Sequence, residues 1–183
     1  IAIGDIHGCA RALAALLLAI EPQEDDLIIP RGDYVDRGPD SRGVIDQLLE
    51  LESRVTVQPI FGNHEEMMLS VLNDEVSPEF WLRYGGVKTL ESYGFSGSLD
   101  VVPDDHRDFL TRCIDYVETD SHIFLHANYD PAVPLQELDR ELLRWTSQAD
   151  LMPGPHPSGK PVVDGHTPDR TGEIMDIGYL KCI

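Results

Sequence analysis

Short apolar runs alternate with segments in which apolar residues recur every three or four positions, and this pattern predicts alternating strands and helices. The apolar runs of the first third of the chain are residues 1–3, 27–29 and 55–61. Between them, residues 9–20 and 41–51 have apolar stripes at helical spacing: Leu13, Leu16, Leu17 and Ile20 in one, and Val44, Ile45, Leu48, Leu49 and Leu51 in the other. Strand, helix and strand in this order predict right-handed βαβ units and a partly parallel sheet.

A helical pattern also follows Glu65, and it leads into a helical insertion. Residues from about 75 to 113 have helical segments but lack the strand-and-polar-turn pattern of the preceding part, so we expect them to form a small helical cap on the sheet. Within the insertion, Trp81 and Tyr84 are interpreted as core residues, and contact with a substrate is the alternative.

The last third of the chain predicts a second sheet. Two apolar runs flank a turn and predict a hairpin, and two further runs predict separate strands; the four lie at residues 114–117, 122–125, up to 164, and 174–177. A leucine stripe predicts a helix over residues 134–145, and the segment 147–160, rich in proline and glycine, predicts a loop. The elements together predict one α/β domain over residues 1–183.

Polar residues that can bind metal ions follow the predicted strands, and the central example is the stretch GDYVDRG at residues 32–38. Ligands gather at the carboxyl ends of strands in open α/β sheets. We interpret Asp33 as a metal ligand, Asp36 as a residue that orients a neighbour, and Arg37 as the group that binds an oxyanion. A turn with a surface Asp–Arg ion pair is the alternative for this stretch taken alone.

The same arrangement recurs after four other apolar runs, where the polar side chains are Asp5, His7, Asn63, His64, His126 and His166. Imidazole, carboxylate and amide groups form a mixed nitrogen and oxygen set that suits Mn²⁺, Fe or Zn²⁺. Six ligands exceed one tetrahedral site, so two metal ions are predicted. If Asp33 bridges them, Asp5 and His7 complete one site, and Asn63, His126 and His166 complete the other.

Composition and charge restrict the function further. The chain has 183 residues, of which 42% are hydrophobic, and a net charge of −19. This charge would repel phosphates over most of the surface, so broad binding to nucleic acid is not expected. A run of about 18 apolar residues, as a membrane span needs, does not occur. The three cysteines are far apart, which argues against a disulfide framework and favours a reducing cytoplasm, while the oligomeric state stays open.

The motifs GDIHG, GDYVDRG, GNHE, a histidine after an apolar run, and GHT resemble those of the calcineurin-like metallophosphoesterases, and specifically the bacterial type of the phosphoprotein phosphatase family. The resemblance spans nearly the whole chain. It implies a four-layer sandwich of two mixed β-sheets flanked by helices. It also implies two divalent cations, with Mn²⁺ expected and Fe or Zn²⁺ as alternatives, bound by Asp5, His7, Asp33, Asn63, His126 and His166.

The same resemblance implies the reaction, which is hydrolysis of phosphate monoesters by a hydroxide that bridges the two metal ions. Arg37 corresponds to a phosphate clamp, Asn63 contacts the substrate as well as metal, and His64 with Asp36 corresponds to a proton-donating pair. Arg144, beside Trp145, is our candidate for a second phosphate-binding arginine, and an exposed helix arginine is the alternative.

The substrate is left between two classes. The segment from Trp81 to Gly94 is similar to both bacterial serine/threonine protein phosphatases and symmetrical diadenosine tetraphosphatases, and a phosphorylated protein is the expected substrate. A metal-binding module without turnover is a third interpretation. Cys9, next to the predicted ligand region, is interpreted as a small packed thiol rather than a thiol of lowered pKa. Family members usually continue beyond the sequence given, so a further C-terminal piece is expected.

Overall fold

The structure is a computed structural model that describes residues 1–168 and 171–183. Its first sheet contains three strands, β1 (Ala2–Ile3), β2 (Leu27–Pro30) and β3 (Thr56–Val57), in the order β1-β2-β3. Both strand pairs are parallel, with Ala2 opposite Ile29 and Leu27 opposite Thr56. Three parallel strands in chain order confirm the predicted βαβ arrangement, although the third strand is shorter than the predicted 55–61.

Three helices follow these strands: α1 (Ala10–Ile20), α2 (Ser41–Glu52) and α3 (Asn63–Leu72). The first turn of α2 is capped by Asp40, whose carboxylate accepts a hydrogen bond from the backbone N–H of Gly43 at 2.8 Å. Helix α3 begins at Asn63, two residues before the predicted start, so Asn63 and His64 lie in its first turn. The longest helix among the described residues has 12 residues, and none is long and apolar enough to cross a membrane.

The helical insertion contains α4 (Glu79–Trp81), a π-helical turn (Leu82–Gly86), α5 (Val87–Ser92), a 3₁₀ turn (Leu99–Val101) and α6 (Asp104–Thr111). It packs on α2 and α3, and Trp81, Leu90, Tyr93 and Phe109 join the same core as those helices. The core prediction is therefore confirmed for Trp81. It is wrong for Tyr84, which lies in the π-helical turn and is 46% exposed.

The second sheet is mixed and contains β4 (Tyr116–Glu118), β5 (Ile123–Leu125), β6 (Val162–Asp164), β7 (Met175–Asp176) and β8 (Leu180–Cys182), in the order β4-β5-β6-β8-β7. Strands β4 and β5 form the predicted antiparallel hairpin, and β5, β6 and β8 are parallel to one another. The two sheets approach through a parallel bridge between Ile60 and Ile114 and through a small cluster of Ile29, Ile60 and Val117. Two sheets flanked by helices confirm the predicted fold class.

Two local predictions are wrong. Residues 134–145 do not form one helix. A 3₁₀ turn (Leu135–Glu137) is followed by an extended Leu138, and a separate helix, α7 (Arg140–Arg144), follows with Asp139 as its N-cap. Cys9 is not packed, because it lies at the exposed start of α1.

Candidate metal centre

The carboxyl ends of β1, β2, β5 and β6 meet beside the start of α3, and each brings a predicted ligand to the same place. Donor atoms of His7, Asp33 and His64 lie within 4.8 Å of one another. Donor atoms of Asp33, His126 and His166 form a second such group. Asp33 belongs to both groups, as expected of a residue shared by two metal ions.

The two carboxylate oxygens of Asp33 face different histidines. Oδ2 lies 3.4 Å from Nε2 of His7, and Oδ1 lies 3.4 Å from Nε2 of His126. The amide oxygen of Asn63 lies 3.1 Å from the same nitrogen of His126. The rings of His126 and His166 are adjacent, with centroids 5.1 Å apart. These contacts place four of the predicted ligands around one position and His7 at a neighbouring one.

The other nitrogen of each histidine predicted to bind metal faces a backbone carbonyl. Nδ1 of His7 lies 2.9 Å from Val35 O, Nδ1 of His126 lies 2.7 Å from Arg31 O, and Nε2 of His166 lies 3.0 Å from Trp145 O. Because a carbonyl only accepts, each of these nitrogens bears the proton, and the remaining nitrogen keeps a lone pair for a metal ion.

The donor set fits bound cations on two further observations. Nε2 of His7 is buried and lacks a hydrogen-bond partner among the described residues. Nε2 of His126 and the amide oxygen of Asn63 approach each other at 3.1 Å although both are acceptors in this tautomer, which is favourable when they share a cation. Fixed tautomers, an orphaned lone pair and paired acceptors are the properties of a metal site.

Burial also favours the neutral form of the three histidines, which is the form that binds metal. Loss of solvent lowers the pKa of His7 to about 4 and that of His166 to about 4, and it also lowers the pKa of His126. These rings are therefore neutral at pH 7. Burial and the nearby charge of Asp5 raise the pKa of Asp33 to about 7, so its carboxylate needs a positive neighbour to stay ionised.

Asp5 lies at the edge of the centre rather than inside it. It is exposed, and it lines a cavity together with Gly165 and His166. A Cβ added to Gly165 would lie 2.9 Å from Oδ1 of Asp5, so glycine at this position leaves room for the carboxylate. The structure thus brings Asp5 beside its predicted partners, but its oxygens are not among the two groups of close donor atoms.

Glu65 is a residue of the centre that the sequence analysis did not identify. It is fully buried, and its carboxylate accepts hydrogen bonds from the backbone N–H groups of Asp33 at 2.7 Å, Tyr34 at 2.8 Å and Gly62 at 3.1 Å. Burial and the charge of Asp33 raise its pKa to about 7. The available signal was its position three residues after Gly62, the residue that precedes α3. An acidic residue at this position typically caps the helix.

His64 and Asp36 form the predicted pair. Nδ1 of His64 lies 2.7 Å from Oδ2 of Asp36, and its Nε2 lies 3.0 Å from Nη2 of Arg37. Burial acts to lower the pKa of His64, but the hydrogen bond with Asp36 and the charges of Asp33 and Asp36 outweigh it, so the net shift is upward. Since Arg37 only donates, its contact with Nε2 belongs to the neutral ring, and a protonated His64 would release the guanidinium.

The helical insertion supplies the remaining partners of the Asp36 carboxylate, and the sequence analysis did not identify this role. Nε1 of Trp81 donates to both carboxylate oxygens at 3.0 and 2.9 Å, and Oγ1 of Thr89 donates to Oδ1 at 2.6 Å. Asp36 is completely buried, so these donors hold its carboxylate in place.

With this geometry in place, comparisons with known proteins identify the family. The sequence pattern of the family described as Calcineurin-like phosphoesterase matches residues 1–180. The chain belongs to this family. It is 42% identical over 86 residues, 46% of its length, to "Serine/threonine-protein phosphatase 1" of Salmonella typhimurium, and 44% identical over 71 residues, 38% of its length, to "Bis(5'-nucleosyl)-tetraphosphatase, symmetrical" of Photorhabdus laumondii.

These similarities are partial. The matched segments span 37% and 25% of the two relatives. The fold extends further: a metallophosphoesterase from Sphaerobacter thermophilus superposes on 99% of this chain and 74% of its own, with a TM-score of 0.61 and 17% identity. The membership in the calcineurin-like phosphoesterases confirms the family expected from the motifs.

Two arginines of this calcineurin-like phosphoesterase differ in availability. Arg37 is exposed beside His64. Arg144 is only 7% exposed, stacks over the ring of Phe61 at 4.4 Å, and pairs with Glu66 and Asp115 at 2.5 Å each. The alternative of an exposed helix arginine is therefore wrong for Arg144. Its phosphate-binding role stays a prediction, and this role requires that it leave one of the two carboxylates.

Proposed function

We propose that this chain hydrolyses phosphate monoesters at a centre of two divalent cations, and that phosphoserine and phosphothreonine residues of proteins are its substrates. The observation that supports the hydrolysis most strongly is the position of Asp33, whose two oxygens face two separate groups of nitrogen donors. The similarity to a bacterial serine/threonine protein phosphatase supports the choice of substrate.

We propose that two sets of residues would hold the cations. His7, Asp33 and Asp5 would hold one, and Asp33, Asn63, His126 and His166 the other, with Mn²⁺ as the proposed ion. Two bound divalent cations supply positive charge to the phosphoryl oxygens and lower the pKa of water. The protein contributes neutral imidazoles of fixed tautomer and a shared carboxylate.

Arg37 and His64 would act on the substrate directly. The exposed guanidinium of Arg37 binds phosphoryl oxygens, and binding draws it away from Nε2 of His64. That nitrogen can then bear a proton and donate it to the departing oxygen. Asp36 accepts from Nδ1 at 2.7 Å, which orients the ring and stabilises its charged form.

The test is a substrate panel on metal-analysed protein. Purified apoprotein is loaded with Mn²⁺, the bound metal is counted by elemental analysis, and kcat/KM is measured for phosphoserine, phosphothreonine and phosphotyrosine peptides. We expect two ions per chain and the highest kcat/KM with phosphoserine or phosphothreonine. Protein that binds fewer than two ions, or that binds two and hydrolyses none of the phosphate esters, contradicts the proposal.

A second candidate is symmetrical hydrolysis of dinucleoside tetraphosphates, and an aromatic cluster favours it. Phe80 is 52% and Tyr84 46% exposed, and their ring centroids lie 4.7 Å apart, with Trp145 6.3 Å from Phe80. The cluster adjoins the centre on both sides: Tyr84 precedes Gly85, which packs on Arg37, and the carbonyl of Trp145 faces His166.

Exposed aromatic rings of this kind stack on nucleobases. The similarity to a symmetrical bis(5'-nucleosyl)-tetraphosphatase supports the same candidate. Adding diadenosine tetraphosphate to the panel separates the two candidates, because a kcat/KM at least tenfold above that of the phosphopeptides would favour the dinucleotide.

A further inference from the structure

The loop that follows α7 touches both ligand-bearing strands of the second sheet. His126 follows β5 and His166 follows β6, and their backbones are joined by one hydrogen bond, from Gly165 N to His126 O at 2.9 Å. The side chain of Gln148, in the loop, spans the same two strands. It is 7% exposed, so its hydrogen bonds are shielded from water.

The amide nitrogen of Gln148 uses both of its hydrogens. Nε2 donates to Ala127 O at 3.1 Å, next to His126, and to Oδ2 of Asp164 at 2.5 Å, two residues before His166. The backbone N–H of the same residue donates to Oγ1 of Thr167 at 3.2 Å, directly after His166. Gln148 is therefore hydrogen-bonded to the immediate neighbours of His126 and His166.

The position of Gln148 is itself fixed. Asn128 anchors the loop through Nδ2, which donates to Leu151 O at 2.7 Å and to Ser147 O at 3.3 Å. Nearby, Trp145 O faces the His166 ring at 3.0 Å. Because its loop is fixed, Gln148 can hold the residues that it contacts in place. Residues that hydrogen-bond around the direct ligands tune metal affinity in this way.

We infer that Gln148 is a positioning residue that sets the separation of His126 and His166, and so the affinity of the cation position they share with Asp33. This inference rests on the proposed metal centre. A purely structural loop anchor would affect stability alone. A positioning residue affects one cation position and leaves the other, where Asp5 and His7 follow β1 of the first sheet, unchanged.

The test is calorimetric titration of apoprotein with Mn²⁺, alongside urea unfolding. The variant Gln148→Leu removes both donors, and His126→Ala marks which of the two binding steps belongs to the position in question. We expect Gln148→Leu to weaken that step by about 10- to 100-fold and to change the other by less than twofold. The matched control is Tyr129→Phe, which removes one bond of the same loop, to Gly154 O at 2.7 Å, and should leave both steps unchanged.

A second variant covers the case in which Gln148→Leu unfolds. The double change Gln148→Leu with Asp164→Val removes both partners, so that a buried carboxylate is not left without a donor. It should stay folded in the absence of urea, although the buried Arg31 loses the neighbouring charge of Asp164, and it should bind the cation at the position of His126 and His166 weakly. Normal affinity at both steps in a folded variant, or equal loss at both, would overturn the inference. Parent protein that binds no divalent cation would instead overturn the proposed function.

Discussion

Replacement of His64 tests the proposed proton donor most directly. In the structure its Nδ1 is fixed by Asp36 at 2.7 Å, while Nε2, 4.0 Å from Oδ2 of Asp33, faces the centre. The variant His64→Gln removes the acidic proton but keeps a polar side chain of similar reach. A general acid contributes about 10²- to 10⁴-fold when the leaving group is a poor one. We therefore expect this loss in kcat for a phosphoserine peptide, whose leaving alkoxide must be protonated.

The same variant should lose much less activity with an aryl phosphate, because a phenolate of low pKa leaves without a proton. The assay compares kcat for both substrates on Mn²⁺-loaded protein whose metal content has been measured. Trp81→Phe is a matched variant: it keeps the buried ring but removes the donor 2.9 Å from Asp36, and it should show a smaller loss with the same preference for the aryl substrate.

The pH profile supplies a second readout. His64 donates a proton only in its charged form, whose pKa is raised in the protein without bound cations, so kcat for the peptide should fall as pH rises through the pKa of His64. This fall should disappear in His64→Gln. Equal losses with both substrates, or an unchanged alkaline fall, would refute the role of His64 as the acid and leave it a structural one.

Three further predictions concern the cations, the aromatic cluster and the buried hydrogen bond between Tyr93 and His106. Because the pKa of Asp33 is about 7 without a cation, Mn²⁺ affinity should fall as pH drops below about 7, and titrations in two buffers of different ionisation enthalpy should show proton release on binding. Replacing Phe80 and Tyr84 by Ala should lower kcat/KM about tenfold or more for diadenosine tetraphosphate but leave tripolyphosphate unchanged; equal effects would contradict stacking. His106→Leu removes the partner of the buried Tyr93 hydroxyl, 2.8 Å away, and should lower the free energy of unfolding by about 1–3 kcal/mol in urea. This loss should be smaller when Tyr93→Phe is already present, and the contact of His106 with Asp46 at 3.0 Å accounts for the remainder.

The predictable part of the centre is the part encoded next to strand ends. Asp33, His126 and His166 each lie within four residues of the end of an apolar run, so the sequence predicts both their chemistry and, through parallel strand ends, their proximity. Asp5 and His7 follow β1 in the same way. Local order along the chain was sufficient here because each ligand lies within a few residues of the strand that positions it.

The residues that support the centre were less predictable. Glu65 had a local signal in its helix-capping position. Trp81, Thr89 and Gln148 act through contacts with segments distant in sequence, and their local patterns are those of ordinary helix and loop residues. The predicted helix over 134–145 failed for a related reason. Its leucines have helical spacing, but Leu138 is extended, and Asp139 caps a separate short helix.

The backbone of the centre explains why these supporting contacts are needed. Among the described residues, seven other than glycine have positive φ, and five of them belong to the predicted site: His7 at 44°, Asp33 at 51°, Asp36 at 70°, Arg37 at 63° and His166 at 60°. Left-handed backbone is unfavourable for residues with a Cβ, by about 1–2 kcal/mol each. Turns of this kind direct several side chains toward one point, but they persist only where the surroundings fix them. The buried Glu65 carboxylate accepts hydrogen bonds from the backbone N–H groups of Asp33 and Tyr34, and these bonds hold the turn at Asp33 in place. The centre is thus as much a property of its supporting hydrogen bonds as of its ligands.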